Sequence, residues 1–161
     1  MSVNTNGQDY LSMAINLATD NVHNAGGPFG AVVVSPDGQV FEGVNRVTAT
    51  NDPSAHAEVV AIRTAAAALE TFDLSGCVLY TSCEPCPMCL ATSLWARIEK
   101  VYFAADRHDA AKAGFDDAVF YEYFDKDSDH ALMPVQHFTD AAVEHLKPFD
   151  AWDALETRTD Y

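Results

Sequence analysis

Apolar residues recur along this chain with two different periods. Over residues 9–23, Leu11, Ala14, Ile15, Ala18 and Val22 fall three and four apart, which predicts a helix with one apolar face. Phe29 to Val34 is a short apolar, β-branched run that stops at Pro36-Asp37-Gly38, and a second run follows from Gln39 to Val47. Two such runs around a turn predict a β-hairpin. Ser54 suits the N-cap of an Ala-rich helix reaching about Leu69. Cys77 to Thr81 reads as the third strand and Val101 to Ala104 as the fourth. Between them Pro87 opens a helix to about Arg97, where its missing amide hydrogen costs nothing in the first turn. Strand, helix, strand, helix, strand through the middle predicts parallel pairing with helices on both faces. Beyond residue 105 the pattern weakens, and the expectations are helices near 116–124, 139–146 and 149–157 with a strand over Leu132–Phe138.

Composition narrows this α/β reading to one globular domain spanning 1–161. With 48% apolar and 20% charged residues, a chain of 161 residues buries a core without disulfide staples. Nine Lys and Arg against 24 Asp and Glu give a net charge of −15, and the excess runs through both halves of the chain. Such a surface repels phosphate backbones and anionic membranes, so neither nucleic acid nor membrane is an expected partner. No stretch approaches the ~20 apolar residues of a membrane span. The opening residues lack the basic start and apolar run of a signal peptide, and a cytoplasmic protein is expected. Cys77, Cys83, Cys86 and Cys89 crowd together, which in a reducing compartment points to metal or redox chemistry before disulfides.

Two segments carry that chemistry: Ala55-His56-Ala57-Glu58 at the start of one helix and Pro85-Cys86-Pro87-Met88-Cys89 at the start of the next. Cysteines three apart at a helix start direct both sulfurs at one ion, and the helix dipole favours their thiolates. A neutral His56 completes three ligands of the kind zinc prefers and leaves the fourth tetrahedral position open. Glu58 lies two residues past His56, roughly 200° around an ideal helix, so it is a poor companion ligand. From a first turn it still reaches the open side as a proton carrier. A bare C-x-x-C is more often structural zinc or redox, and Cys83-x-x-Cys86 makes a closed site of three Cys and one His arithmetically available. The joint spacing of His56, Glu58, Pro85, Cys86 and Cys89 favours the open site, with Cys83 a neighbouring loop residue and Cys77 a core residue. His23, His108, His130, His137 and His145 follow no ligand pattern.

The same residues carry a resemblance. H-x-E followed by P-C-x-x-C is the zinc deaminase signature. Asn51-Asp52-Pro53-Ser54-Ala55-His56-Ala57-Glu58 and Thr81-Ser82-Cys83-Glu84-Pro85-Cys86-Pro87-Met88-Cys89 resemble the cytidine/deoxycytidylate deaminase superfamily. Gly26-Gly27-Pro28-Phe29-Gly30-Ala31, Glu42-Gly43-Val44-Asn45, Ala113-Gly114-Phe115-Asp116-Asp117 and the terminal Tyr161 are similar to its small, zinc-dependent bacterial guanine deaminases. The resemblance implies a three-layer αβα sandwich with a five-stranded mixed sheet and one zinc per subunit. It implies a homodimer in which about 140–161 crosses to cap the partner's pocket. It places Asn45 and Phe29 on a free purine base, one through its amide and one by stacking, with Ala57 and Trp95 lining the pocket. Asp117 would assist the departing amino group, and Tyr161 would close the site from the partner chain.

The chemistry so implied is hydrolytic deamination of guanine to xanthine and ammonia. Zinc acidifies water to a pKa of about 7, Glu58 accepts the proton as C2 is attacked, and that proton passes to the ring nitrogen and then to ammonia. Guanosine deaminases share the Gly-Phe-Asp-Asp segment and remain an alternative. The tRNA adenosine deaminases share the N-D-P-x-A-H-A-E segment, yet a tRNA surface needs clustered Lys and Arg. A zinc module without catalysis is the alternative of another class.

Overall fold

Alternation along β1 (Gly30–Val34) sets the architecture, since every residue of this strand is buried. Ala31 and Val33 join Phe41, Ala57, Ala61, Ile62, Ala65, Leu74 and Leu79 in one core cluster, and Val32 and Val34 join Tyr80 in another. Successive side chains of a strand point to opposite faces, so a strand apolar on both must be covered on both. The computed structural model describes residues 5–138 and 144–161. In it α1 (Thr5–His23) covers one face and α3 (Ala57–Ala68) the other, with α4 (Pro87–Trp95) packed against α3. The three layers expected from the sequence are present.

The sheet runs in the order β2-β1-β3-β4, with β2 at Val40–Val44, β3 at Val78–Cys83 and β4 at Lys100–Ala105. The hairpin forms as expected, but β1 inserts between β2 and β3 and is antiparallel to both. Parallel pairing is therefore confined to β3 and β4. The sheet is mixed and has four strands among the described residues, not five. Leu132–Phe138 pairs with no strand there, and Pro134 within it lacks an amide hydrogen for a ladder.

Two further differences have local causes. The third helix starts at Ala57 with His56, not Ser54, at the N-cap. Asp52 captures Ser54 instead: one carboxylate oxygen accepts from the Ser54 hydroxyl at 2.6 Å and from its amide at 2.9 Å. Short helices α2 (Val47–Thr50) and α5 (Arg107–Lys112) are additions, the latter opened by a capping box between Asp106 and Asp109. The chain continues through α6 (Ala118–Tyr123) and α7 (Lys147–Ala154), while the helix expected over 139–146 begins at 139–143, which lie outside the described residues. No helix of the described residues is long and apolar enough to cross a membrane.

Gly43 brings the layers together where it matters for the site. A Cβ there would stand 2.3 Å from the Ala57 carbonyl oxygen and the Ala61 nitrogen, so any side chain would lift the first turn of α3 off β2. That turn carries His56 and Glu58.

Candidate active site

Two helix starts converge. His56 is the N-cap of α3 and Cys86 the N-cap of α4, with Pro87 in the first turn and Cys89 one turn in. The His56 Nδ1 lies 3.6 Å from the Cys86 sulfur and 3.5 Å from the Cys89 sulfur, and the two sulfurs are 3.6 Å apart. A tetrahedral zinc, with Zn–S of about 2.3 Å and Zn–N of about 2.0–2.1 Å, spaces its donors about 3.5–3.8 Å apart. The three residues fit zinc. Cys83 does not belong to this group; its sulfur points to the Asp106 carbonyl at 3.8 Å, and burial pushes its thiol up to about 11. The closed site of three Cys and one His is not formed.

The cluster is electrostatically ready for a cation. The Cys89 thiol donates to the Cys86 sulfur, and with His56 alongside this holds Cys86 down at about 4. Cys89 keeps the shared proton and is pushed up by that bond and by burial. His56 is raised by its bond to Cys86. Cys86 and Cys89 would hold a zinc ion as two thiolates, giving up the proton that they share here.

Glu58 is buried, with 5% of its surface exposed, and one carboxylate oxygen stands 3.5 Å from the Cys89 sulfur. Burial raises its pKa, so it holds a proton more readily than an exposed glutamate. Its other oxygen accepts from the Thr81 hydroxyl at 3.2 Å. Sequence reasoning did not single out Thr81. Its signal was parity: on β3 it shares a face with the core residue Leu79, so a hydroxyl there is buried and must find a partner.

Asn45 closes β2, and its amide donates to the Phe29 carbonyl at 3.1 Å. The next amide, that of Arg46, donates to Ala55 at 2.9 Å, immediately before His56. Phe29, Asn45 and the metal-ligand turn are therefore contiguous, and Ala57 is fully buried beside them. Asn21 is a second residue missed by the sequence reading. Its Nδ2 donates at 2.9 Å to the carbonyls of both Gly27 and Asn45, tying the glycine loop to the end of β2. It continues the Ala14 and Ala18 face of α1, where a polar residue on a buried stripe is the readable sign. Gly27 must be small, because a Cβ would press the Asn45 carboxamide at 3.1 Å and the Phe29 ring at 3.4 Å. The Phe29 ring meets Phe115 edge-on at 5.0 Å.

Asp117 sits at the N-cap of α6 with no capping bond from its side chain. Asp116 does the local work, accepting from the Ala118 amide at 3.0 Å. The Asp117 carboxyl is raised by burial, feels the Cys86 charge, and acts in turn on His56. Trp95 and Tyr161 stand elsewhere. Trp95 ends α4, about 9 Å along the axis from Cys89, and is exposed. The Tyr161 ring lies 6.4 Å from those of Trp95 and Phe72, the latter beyond the far end of α3. Within one chain the terminal tyrosine does not approach the cluster.

Comparison with known proteins agrees with this site. Residues 4–105 match the family model described as the cytidine and deoxycytidylate deaminase zinc-binding region. The chain is 46% identical over 157 residues to guanine deaminase of Bacillus subtilis, covering 97% of this chain and 99% of that protein. The crystal structure of that enzyme superposes with a TM-score of 0.90 over 99% of both chains. A guanine deaminase structure from Nitrosomonas europaea, 35% identical, covers 66% of this chain and 63% of its own with a TM-score of 0.63. A tRNA-specific adenosine deaminase of Aquifex aeolicus is 39% identical over 100 residues, 62% of this chain and 66% of its own. With three zinc donors at tetrahedral spacing and a buried glutamate against them, this chain belongs to the cytidine and deoxycytidylate deaminase family of zinc enzymes.

Proposed function

We propose that the protein converts guanine and water to xanthine and ammonia, acting on the free base as a homodimer. The observation that carries this reading is the near end-to-end match to a guanine deaminase, which includes the segments bearing Asn45, Phe29 and Asp117 as well as the zinc signature. Matches to tRNA adenosine deaminases stop near two thirds of the chain, and a charge of −15 opposes a tRNA surface.

Zinc held by His56, Cys86 and Cys89 supplies Lewis acidity that makes hydroxide available from water near neutral pH. Glu58 moves the protons. Thr81 holds one of its oxygens, which aims the other at the metal side of the pocket. Its raised pKa lets it keep the proton taken from water long enough to hand it to the ring nitrogen as C2 becomes tetrahedral, and a second proton then leaves with ammonia. Asn45 offers a donor and an acceptor together, which suits a carbonyl and a ring nitrogen of a purine. Phe29 supplies a stacking face worth about 1–3 kcal/mol without choosing between bases. Asp117 accepts hydrogen bonds from the amino group as it departs as ammonia.

Two observations support a dimer that exchanges its carboxyl-terminal segment, about 140–161. Phe138, Leu146, Phe149 and Leu155 are exposed in the single chain, and Tyr161 lies away from its own cluster. In the proposed dimer the partner's Tyr161 closes each site and excludes bulk water. A cytoplasmic location suits the site, because its zinc needs Cys86 and Cys89 kept reduced.

Incubating the pure protein with guanine, guanosine, adenine and cytosine and measuring ammonia tests the substrate. Guanine should be consumed fastest; faster release from guanosine, or none from guanine, overturns the reading. Glu58→Gln separates enzyme from zinc module, since an enzyme keeps its metal and loses turnover.

A further inference from the structure

Asp117 lies near enough to Cys86 and His56 for their charges to act on one another, yet its own helix, a six-residue turn with no buried residue, does not fix it there. A grip exists one helical turn further along. Tyr121 lies four residues after Asp117, on the same face of α6. Its hydroxyl donates to the Pro85 carbonyl at 2.7 Å, directly ahead of Cys86. The Arg107 guanidinium stacks on its ring, 3.7 Å from the centroid. The same guanidinium donates to one Glu84 oxygen at 2.6 and 3.0 Å, and the Arg107 amide donates to the other at 2.9 Å. Glu84 in turn is fixed at the end of the sheet by its amide, which donates to Ala105 at 2.8 Å. We infer that Arg107 and Tyr121 are positioning residues: clamped to Glu84 and Pro85, they lock the turn that carries Asp117 to the loop that carries Cys86, so that the two move as one body.

The clamp explains the choice of side chains. An arginine offers a planar fork for the carboxylate and a flat face for the ring at once, which a lysine cannot do. A tyrosine supplies both the face and the hydroxyl. Because Asp117 and Tyr121 share one side of the turn, a bond at one end sets the direction of the other. The clamp also joins the first part of the otherwise exposed carboxyl-terminal region to its own metal site, so Asp117 serves the cluster of its own chain.

The inference rests on the proposed role of Asp117, and a double-mutant cycle on the zinc-loaded, full-length protein tests both. Arg107→Lys and Tyr121→Phe, each alone and combined with Asp117→Asn, are assayed for zinc content, kcat and KM with guanine. Losses of an orienting partner near a metal site run about 10- to 100-fold. Arg107→Lys should lower kcat by that order and Tyr121→Phe by about 10-fold, with one zinc per chain and KM within about threefold. In the Asp117→Asn background the same changes should cost less than about twofold, because the group they orient is already disabled. If Arg107→Lys fails to fold, Tyr121→Phe, which removes a single oxygen, decides alone. A slow Asp117→Asn chain in which the losses multiply overturns the clamp only, as does loss of zinc in the single variants or unchanged kcat. An Asp117→Asn chain as fast as the parent overturns the role of Asp117 and the clamp with it.

Discussion

Residues up to Ala105 and residues beyond it obey different rules. In the first region the apolar side chains of the sheet interior are covered: Ala31, Val33 and Leu79 are fully buried between the sheet and α3, while Leu94, Trp95 and Phe103 stay exposed, and buried polar residues such as Glu58, Thr81, Asn21 and Asn45 are hydrogen-bonded or face the site. In the second region apolar side chains of equal size lie open, with Phe124 at 72% and Phe138 at 73% exposure. A monomeric soluble protein rarely leaves so many large apolar groups uncovered. The first region thus packs its own core within one chain, whereas the second has no buried residue among those described. The boundary is not clean. Arg107, Phe115, Asp117 and Tyr121 come from the second region and still reach back to the site of their own chain.

The largest effect should come from the heart of the first region. Glu58→Ala should lower kcat by about 10⁴-fold with zinc retained, since one group serves more than one proton transfer; activity above a tenth of the parent would mean another group carries the proton. Next, matched truncations should separate the regions by stability. Leu79→Ala should cost about 2–5 kcal/mol in denaturant unfolding. Phe138→Ala should cost about 0.5 kcal/mol or less in a chain that is monomeric. A larger loss at Phe138, with a rise in dimer dissociation measured by sedimentation, would show that a second copy covers it.

The proposed tail exchange predicts a third result. Deleting 157–161 should leave zinc and the dimer in place and reduce turnover on the order of 100-fold, the scale on which misplaced catalytic groups are felt. Mixing that protein with Glu58→Ala should restore activity after subunit exchange, because an intact tail then caps an intact site. No recovery from heterodimers proven by mass spectrometry would show that the tail does not act across the dimer. Smallest of all, Cys83→Ala should keep one zinc per chain by metal analysis, whereas Cys86→Ala should lose the metal and with it thermal stability. Equal loss of zinc at both positions would reinstate the closed site.

Local order decided much of this protein before any fold was known. Pro87 at a helix start, the C-x-x-C beside it and His56-x-Glu58 are short-range features, and short-range features survive translation from chain to structure because helix starts and turns depend on a few neighbouring residues. The alternation of strands and helices through the middle of the chain likewise announced helices on both faces of the sheet. What the chain could not announce was set by long-range competition. Whether β1 or β3 lies beside β2 depends on which edges meet, so parallel pairing across the middle became antiparallel pairing on both sides of β1. Asp52 took the hydroxyl that would have capped α3, and the cap moved to His56, a metal ligand. A fifth strand over Leu132–Phe138 was a fair reading of an apolar run, but a strand exists only where a neighbouring edge accepts its hydrogen bonds. Thr81 and Glu58 are 23 residues apart, Asn21 and Asn45 are 24 apart, and Arg107 and Glu84 are 23 apart, while Tyr121 lies a turn from Asp117 on a helix whose docking no periodicity foretells. Sequence named the side chains proposed for the chemistry; only the packed chain decided what holds them still, because orientation is a property of contacts made across the fold.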